Sequence, residues 1–239
     1  METVKNEFNR RVIEINQYFD FLQKVETQQV KIHLPSGEVR PLETLLPPTL
    51  KASGILLLYN LLESTVIMAI DYIHIAISTE DNLIYQDAID EIKKIWIEYR
   101  YNNFKNQNDG AEQLLKHMQD IINDRIVIFD HNDRKREYLN KLKGVNFSGK
   151  IDAQQIKEFA RKYGFEVNQR VAGQRLIQIK ARRNQLAHGE LSFNDCGTIY
   201  TFSELMQFKK ETVLFLKEFL LKVEKYLNHK KYKKTIRSG

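Results

Sequence analysis

Apolar residues recur along this chain at the three- and four-residue intervals of amphipathic helices. Between residues 2 and 27 these intervals alternate without interruption through Phe8, Val12, Ile15, Phe19 and Leu22. Such a pattern predicts a helix that buries one face. The same period predicts further helices at about 82–104, 110–126, 152–163, 168–188 and 202–227.

The most apolar stretch, residues 54–77, is long enough to cross a bilayer. Glu63, Asp71 and His74 interrupt it, and charged side chains are costly at membrane depth. We therefore expect the buried central helix of a bundle, with no membrane partner. Pro47 and Pro48 are expected to stop any regular structure just before it, because proline lacks the backbone N–H.

Short segments between the predicted helices favour extended or loop conformations. Residues 28–34 could be extended ahead of the turn-forming Pro35-Ser36-Gly37, and residues 41–48 are expected to form a surface loop. Residues 125–129 could form a strand or the β-branched end of a helix. The fold class is therefore predicted to be all-α, a helical bundle whose loops leave room for a short extended segment or hairpin.

The composition favours a single domain spanning residues 1–239. Four prolines, ten glycines and no Ser- or Gly-rich run leave no flexible linker, and 42% hydrophobic residues are ample for a core. Cys196 is the only cysteine, which excludes an internal disulfide and a thiolate metal cluster and fits the cytoplasm. The first ten residues are too polar for a secretory signal.

The chain is basic, with a net charge of +6 and a pI near 9.2. That balance favours a polyanionic partner such as RNA, although a solvated lysine-rich surface explains it equally well. Basic residues cluster twice, and each cluster includes a tyrosine that could stack on a base. The clusters are Arg134, Lys135, Arg136, Lys141 and Lys143 with Tyr138, and the C-terminal tail, residues 229–239, with Tyr232. Exposed faces and frayed ends are the alternative interpretation.

Signatures of several other enzyme classes are missing from the sequence. There is no phosphate-binding loop of an NTPase, no nucleophile elbow and no dinucleotide-binding turn. The six histidines do not show the paired spacing of metal ligands. We therefore expect no metal and no cofactor.

The residues with the most chemical information are Arg183, Asn184 and His188, near the end of the helix predicted at 168–188. At about 100° per residue, Arg183 lies in the middle of the apolar stripe. That stripe consists of Ala172, Leu176, Ile179 and Leu186. A guanidinium directed at the core needs an acidic partner, a bound anion or a water-filled cleft. Asn184 and His188 are one turn apart on a neighbouring face, and Gly189 marks the expected helix end.

These residue types suit cleavage of RNA without a metal, in which the 2′-hydroxyl attacks the adjacent phosphorus. We assign Arg183 to the phosphate, because its planar fork matches phosphate oxygens. We assign His188 to proton transfer, because histidine titrates near neutral pH. Asn184 would orient the phosphate or the imidazole. An arginine in a core ion pair and a histidine stabilised at a helix C-terminus would explain the same pattern without catalysis.

The segment Arg183-Asn184-Gln185-Leu186-Ala187-His188-Gly189 resembles the signature of the HEPN superfamily. In these all-helical proteins, an arginine followed a few residues later by a histidine marks metal-independent ribonucleases of toxin–antitoxin, CRISPR-associated and abortive-infection systems. Residues 56–65 resemble the apolar second helix of a HEPN subgroup from bacterial defence loci. The resemblance implies a HEPN-like bundle and an endoribonuclease that is a toxin or phage-defence effector, with an antitoxin or companion defence protein as a further partner.

The chain departs from one HEPN feature. Some HEPN toxins carry a modifiable tyrosine two residues after the histidine, where this chain has Glu190. Control by modification at that position is therefore not implied.

Two polar residues in the apolar central helix, Asn60 and Glu63, need partners if they are buried. We expect Glu63 to pair with Arg183 or to position it across the bundle; the alternative is that Glu63 faces solvent. Arg182, beside the motif, joins the candidate RNA-binding residues.

One arginine and one histidine make half of a site for in-line chemistry, which normally uses a separate acid and base. HEPN ribonucleases are known to bring two motifs face to face in a dimer. The resemblance therefore implies a homodimer in which both copies of His188 line one cleft. The alternative function is a non-catalytic helical module of a defence system that binds nucleic acid or a partner protein.

Overall fold

The computed structural model describes residues 1–27, 30–42, 45–80, 83–105, 110–122, 151–167 and 173–234. These residues form helices and one small hairpin, as predicted. In chain order the elements are α1 (Glu2–Glu26), β1 (Lys31–His33), β2 (Val39–Pro41), α2 (Leu46–Ser78), α3 (Asp90–Lys105), α4 (Gly110–Ile122), α5 (Ala153–Lys162), α6 (Gly173–Ala187), α7 (Phe193–Thr198) and α8 (Phe202–Asn228).

Helix α2 is the centre of the bundle. It packs against α1, α6, α7 and α8, and buried side chains such as Leu58, Leu62 and Ile70 occur along its length. The central helix predicted at 54–77 is confirmed. By length and composition α2 could also cross a membrane, and 56% of its most apolar 18-residue window is buried among the other elements.

Helix α2 begins at Leu46, so Pro47 and Pro48 lie inside its first turn. The prediction that they stop regular structure is wrong, because the first N–H groups of a helix need no intrahelical acceptor. Helix α7 packs closely on this turn. A Cβ atom at Gly197 would lie 1.7 Å from the Pro48 carbonyl oxygen, so the contact requires a glycine.

The extended segment expected near residues 28–34 is confirmed as one strand of a hairpin. Strands β1 and β2 pair antiparallel, with Ile32 opposite Arg40. Gly37, at φ +83°, permits the turn between them.

Helix α3 begins at Asp90 and not near residue 82 as predicted. The reason is a backbone pairing with the C-terminal tail. The N–H of Ile89 donates to the Tyr232 carbonyl at 3.0 Å, and the N–H of Lys234 donates to the Asp87 carbonyl at 2.6 Å. These bonds between distant parts of the chain replace the helical bonds that the local pattern predicts.

Side chains of the tail converge on Glu80. Lys230 and Lys233 donate to one carboxylate oxygen at 2.8 and 3.0 Å, and the Tyr232 hydroxyl donates to the other at 2.7 Å. The hydrogen bond from Lys230, with those from Tyr232 and Lys233, lowers the pKa of Glu80 to about 2. Tyr232 is buried, so in its described part the tail is neither a frayed end nor a free surface for stacking bases.

Helices α1, α5 and α8 follow their predicted bounds closely. The side chain of Asp152 caps α5 by accepting the Gln155 N–H at 3.0 Å. Gly164 follows α5 at φ +79°, where glycine is favoured. Both features set the ends of α5 locally.

His74 is a histidine of the core. Its ring is buried, and Nε2 lies in hydrogen-bond contact with the Tyr163 hydroxyl. Burial lowers the pKa of His74 to about 3.

Several predictions lie outside the described residues. They concern the segment at 125–129, the end of the fourth helix beyond Ile122, the start of the motif helix at Asn168 with Ala172, and the basic cluster Arg134, Lys135, Arg136, Lys141 and Lys143 with Tyr138.

Candidate active site

Helix α6 carries the candidate catalytic residues at its C-terminal end. Leu176, Ile179 and Leu186 are buried, which confirms the described part of the predicted apolar stripe. This stripe packs α6 against α2, α5 and α8. Arg183 lies within the stripe and is partly buried, so its guanidinium is directed at α2, as the helical period predicts.

The Arg183 guanidinium lies over the ring of Tyr59 on α2. Its central carbon is 5.0 Å from the ring centroid, within the range of a cation–π interaction. One guanidinium nitrogen, Nη1, donates to the Asn184 side-chain oxygen at 3.2 Å. An aromatic face and an amide therefore hold Arg183 in position.

Tyr59 is fully buried, and its hydroxyl has two partners. It accepts the backbone N–H of Ile151 at 3.3 Å and donates to Glu63 Oε1 at 3.4 Å. Burial first, and then the negative charge of Glu63, raise the pKa of Tyr59 to about 12. The phenol is therefore neutral at physiological pH and acts as a hydrogen-bond donor.

His188 lies at the accessible end of α6, as predicted. Its backbone N–H donates to the Asn184 carbonyl at 3.0 Å, and its side chain is exposed. Gly189 follows at φ +71°, and the next N–H, that of Glu190, returns to the Gln185 carbonyl at 2.9 Å. This glycine-terminated helix end directs the imidazole into solvent.

Arg183 and His188 leave α6 in different directions. A separation of five residues turns the second side chain by about 140° relative to the first, at about 1.5 Å of rise per residue. Arg183 therefore faces α2, whereas His188 stands at the helix end. In one copy of the chain the two groups belong to adjoining surfaces.

A short segment beside this site ties α6 to α5. The Lys180 ammonium, one turn before Arg183, forms an ion pair with the carboxylate of Asp152. The residue before Asp152 is Ile151, whose N–H contacts Tyr59. Residues 151 and 152 thus link α6 to both α5 and α2.

Arg182, the arginine beside the motif, has local partners. Its Nε donates to the Tyr200 hydroxyl at 3.0 Å, and its Nη1 donates to Gln185 Oε1 at 2.7 Å. Two of its donor groups are therefore occupied within the chain, which leaves fewer of them for an RNA phosphate.

The two polar residues predicted to support the site have different surroundings. Glu63 contacts Tyr59, which contacts Arg183, so the carboxylate reaches the guanidinium through the tyrosine. Within the described residues, the ion pairs do not include Glu63 with Arg183. Asn60 is exposed and lines a cavity of about 290 Å³ with Tyr18 on α1, and the described contacts do not join it to the motif.

Among the described residues there is no group of three or more His, Cys, Asp or Glu side chains that could hold a metal ion. The polar groups that the motif brings to the site are a guanidinium, an amide and an imidazole.

The model of the HEPN_MAE_28990-like HEPN family matches residues 1–232. The chain belongs to the HEPN superfamily. The match covers nearly the whole chain, and the all-helical bundle agrees with it. Neither the search of curated proteins nor the search of solved structures gives a match.

Sequence reasoning missed Tyr59 as part of this HEPN site. Tyr59 lies in an apolar run in which an aromatic residue indicates only a core position. The available signal was its place four residues before Glu63, because tyrosine and glutamate at that spacing share a helix face.

Proposed function

We propose that this HEPN protein is a metal-independent endoribonuclease. The observation that carries the proposal is the environment of Arg183, a partly buried guanidinium held by a ring and an amide, with an exposed imidazole on the same helix. Family membership supports RNA as the substrate, because HEPN domains are often ribonucleases. Family membership also supports a defence-related role. Our proposal is a bacterial toxin or phage-defence effector of the cytoplasm, with an antitoxin or companion defence protein as its partner.

The chemistry follows from these groups. The 2′-hydroxyl of one nucleotide attacks the adjacent phosphorus, forming the O2′–P bond and breaking the P–O5′ bond. One His188 removes the 2′ proton, and a second acid protonates the departing 5′ oxygen. Arg183 stabilises the charge that develops on the phosphate oxygens. The products are a 2′,3′-cyclic phosphate and a 5′-hydroxyl.

A second copy of the chain is the source we propose for the second acid–base group. Ile177, Ala181, Asn184 and His188 follow one stripe of α6 at intervals of four and three residues. Ile177 is 48% exposed, and Ala181 and His188 are exposed as well. A branched apolar residue and an alanine on an exposed stripe suit close packing of two helices. A two-fold axis beside this stripe would bring both His188 side chains to one cleft.

Cleavage of total cellular RNA in excess chelator tests the activity. Wild type should cut, whereas Arg183→Ala and His188→Ala should not, with circular dichroism confirming that all three are folded. Arg175→Ala is the matched arginine control, because Arg175 is also on α6 and lies over the ring of Phe208. His229→Ala is the matched histidine control, because His229 also follows the last residue of a helix. Both controls should retain activity.

A folded wild type that cuts no RNA would contradict the proposal. RNA binding that survives in that protein would then favour the alternative, a non-catalytic module that binds nucleic acid.

Disruption of the exposed stripe of α6 at Ile177 tests the proposed dimer. Ile177→Glu should lower dimer formation in sedimentation experiments and reduce cleavage in parallel. Leu214→Glu is the control, because Leu214 on α8 is similarly exposed, at 45%, and should change neither. Full activity of a monomeric wild type at nanomolar concentration would rule out the shared site.

A further inference from the structure

Arg175, also on α6, makes a cation–π contact that can be compared with that of Arg183. Arg175 lies over Phe208, with 5.2 Å between the guanidinium carbon and the ring centroid. Its Nε also donates to the carboxylate of Glu211 at 2.9 Å. The charge of Arg175 is therefore neutralised within the fold.

Arg183 lies over a ring in the same way, but the part of the chain that the structure describes does not neutralise its charge. Its polar partner is the amide oxygen of Asn184. Within the described residues, no carboxylate lies at ion-pair distance from Arg183. The guanidinium is thus fixed in place while its positive charge stays available to an anion, which is the arrangement that transition-state stabilisation requires.

The ring under Arg183 is itself fixed at its far end. The Tyr59 hydroxyl bonds to the Ile151 N–H and to the Glu63 carboxylate, at 3.3 and 3.4 Å. Because the tyrosine is fully buried, packing also restricts its rotation. The arginine therefore rests on an aromatic platform that cannot move independently of α2.

We propose that Tyr59 is a positioning residue for Arg183. This inference rests on the proposed ribonuclease function. An arginine side chain has several rotatable bonds, and ordering them during the reaction would add to the barrier. A platform that orders the guanidinium beforehand lowers that barrier, so its loss should appear in kcat more than in KM.

Two substitutions at Tyr59 separate the ring from the hydroxyl. Tyr59→Phe keeps the aromatic face and should stay within about threefold of wild-type kcat. Tyr59→Leu removes the aromatic face. Because the energy of a cation–π contact of this kind corresponds to about tenfold in a rate, kcat should fall by about tenfold. The KM should change little. Equal kcat values for folded Tyr59→Phe and Tyr59→Leu would overturn the proposal.

Arginine side-chain NMR gives a readout that does not depend on activity. Loss of one Nε–Hε signal in Arg183→Lys assigns the resonance. In wild type and Tyr59→Phe this proton should be shifted upfield by the ring and should show a nuclear Overhauser contact to ring protons. In Tyr59→Leu the signal should move downfield.

The two readouts distinguish failure of the inference from failure of the proposed function. Absence of the ring contact in wild type would overturn the positioning role even if Tyr59→Leu does not fold, because wild type alone is needed. A wild type that shows the ring contact but cuts no RNA would contradict the ribonuclease. The positioning role would then be tested by NMR alone, and equal Nε–Hε shifts of Arg183 in Tyr59→Phe and Tyr59→Leu would overturn it.

Discussion

The carboxylate of Asp152 joins two helices through its two oxygens. One oxygen accepts a hydrogen bond from the Lys180 ammonium on α6, and the other accepts the Gln155 N–H at the start of α5. The preceding residue, Ile151, donates its N–H to Tyr59 on α2. A segment of two residues therefore connects α2, α5 and α6 beside the candidate site.

Removal of this carboxylate should destabilise the protein. Asp152→Ala loses both the cap and the ion pair, and we expect a loss of about 1–2 kcal/mol in the free energy of unfolding, measured with urea. Asp152→Asn keeps an oxygen to cap α5 and should lose less. Wild-type stability in Asp152→Ala would mean that the link is not energetically significant.

Two glycines should differ sharply in their tolerance of alanine. At Gly197 a Cβ would lie 1.7 Å from the Pro48 carbonyl oxygen, so α7 must move away from α2, and we expect Gly197→Ala to lose about 3 kcal/mol or more. At Gly189 a Cβ has no atom within 4 Å, so only the positive φ opposes alanine, at about 1 kcal/mol. Thermal unfolding of the two variants measures the difference, and equal losses would contradict the close packing of α7 on α2.

Burial of His74 should make the stability depend on pH. The pKa of His74 is about 3 in the folded protein, against an ordinary histidine value of 6.5. The unfolded chain therefore binds a proton first as pH falls, so stability is full above pH 6.5 and declines towards pH 3, by up to about 1.4 kcal/mol per pH unit. His74→Gln should flatten this decline in urea titrations at several pH values. The exposed His229, changed to Gln, is the control and should leave the slope unchanged.

The cluster around Glu80 should contribute in a different pH window. Its carboxyl pKa is lowered from 4.5 to about 2, so its contribution is present above pH 4.5 and is lost as pH falls towards 2. At pH 7 the free energy of unfolding of Glu80→Gln, measured with urea, should therefore be about 1–2 kcal/mol lower than that of wild type. This difference in unfolding free energy should become smaller at pH 3. A difference that stays constant with pH would show that the charge of Glu80 does not cause the stabilisation.

Much of the bundle follows from local patterns in the sequence. Helices α1 and α8 have uninterrupted apolar stripes, and their ends agree with the prediction to within a residue or two. The cap at Asp152 and the glycine ends at Gly164 and Gly189 are recognisable because each has a specific local requirement.

The remaining features depend on contacts between distant residues. The start of α3 is set by the pairing of Ile89 with Tyr232, and the local period does not show that pairing. The role of Tyr59 depends on which side of α2 meets α6. Its sequence context, an apolar run, indicates burial but does not reveal a guanidinium over the ring.

We propose that Arg183 and His188 cut RNA through attack by its own 2′-hydroxyl, without a metal. The most direct measurement of this cleavage is the end chemistry of RNA fragments produced in excess chelator by wild type and by His188→Ala. We expect 2′,3′-cyclic phosphate and 5′-hydroxyl ends from wild type and no fragments from folded His188→Ala. Fragments with 3′-hydroxyl and 5′-phosphate ends, or undiminished cleavage by His188→Ala, would contradict the account.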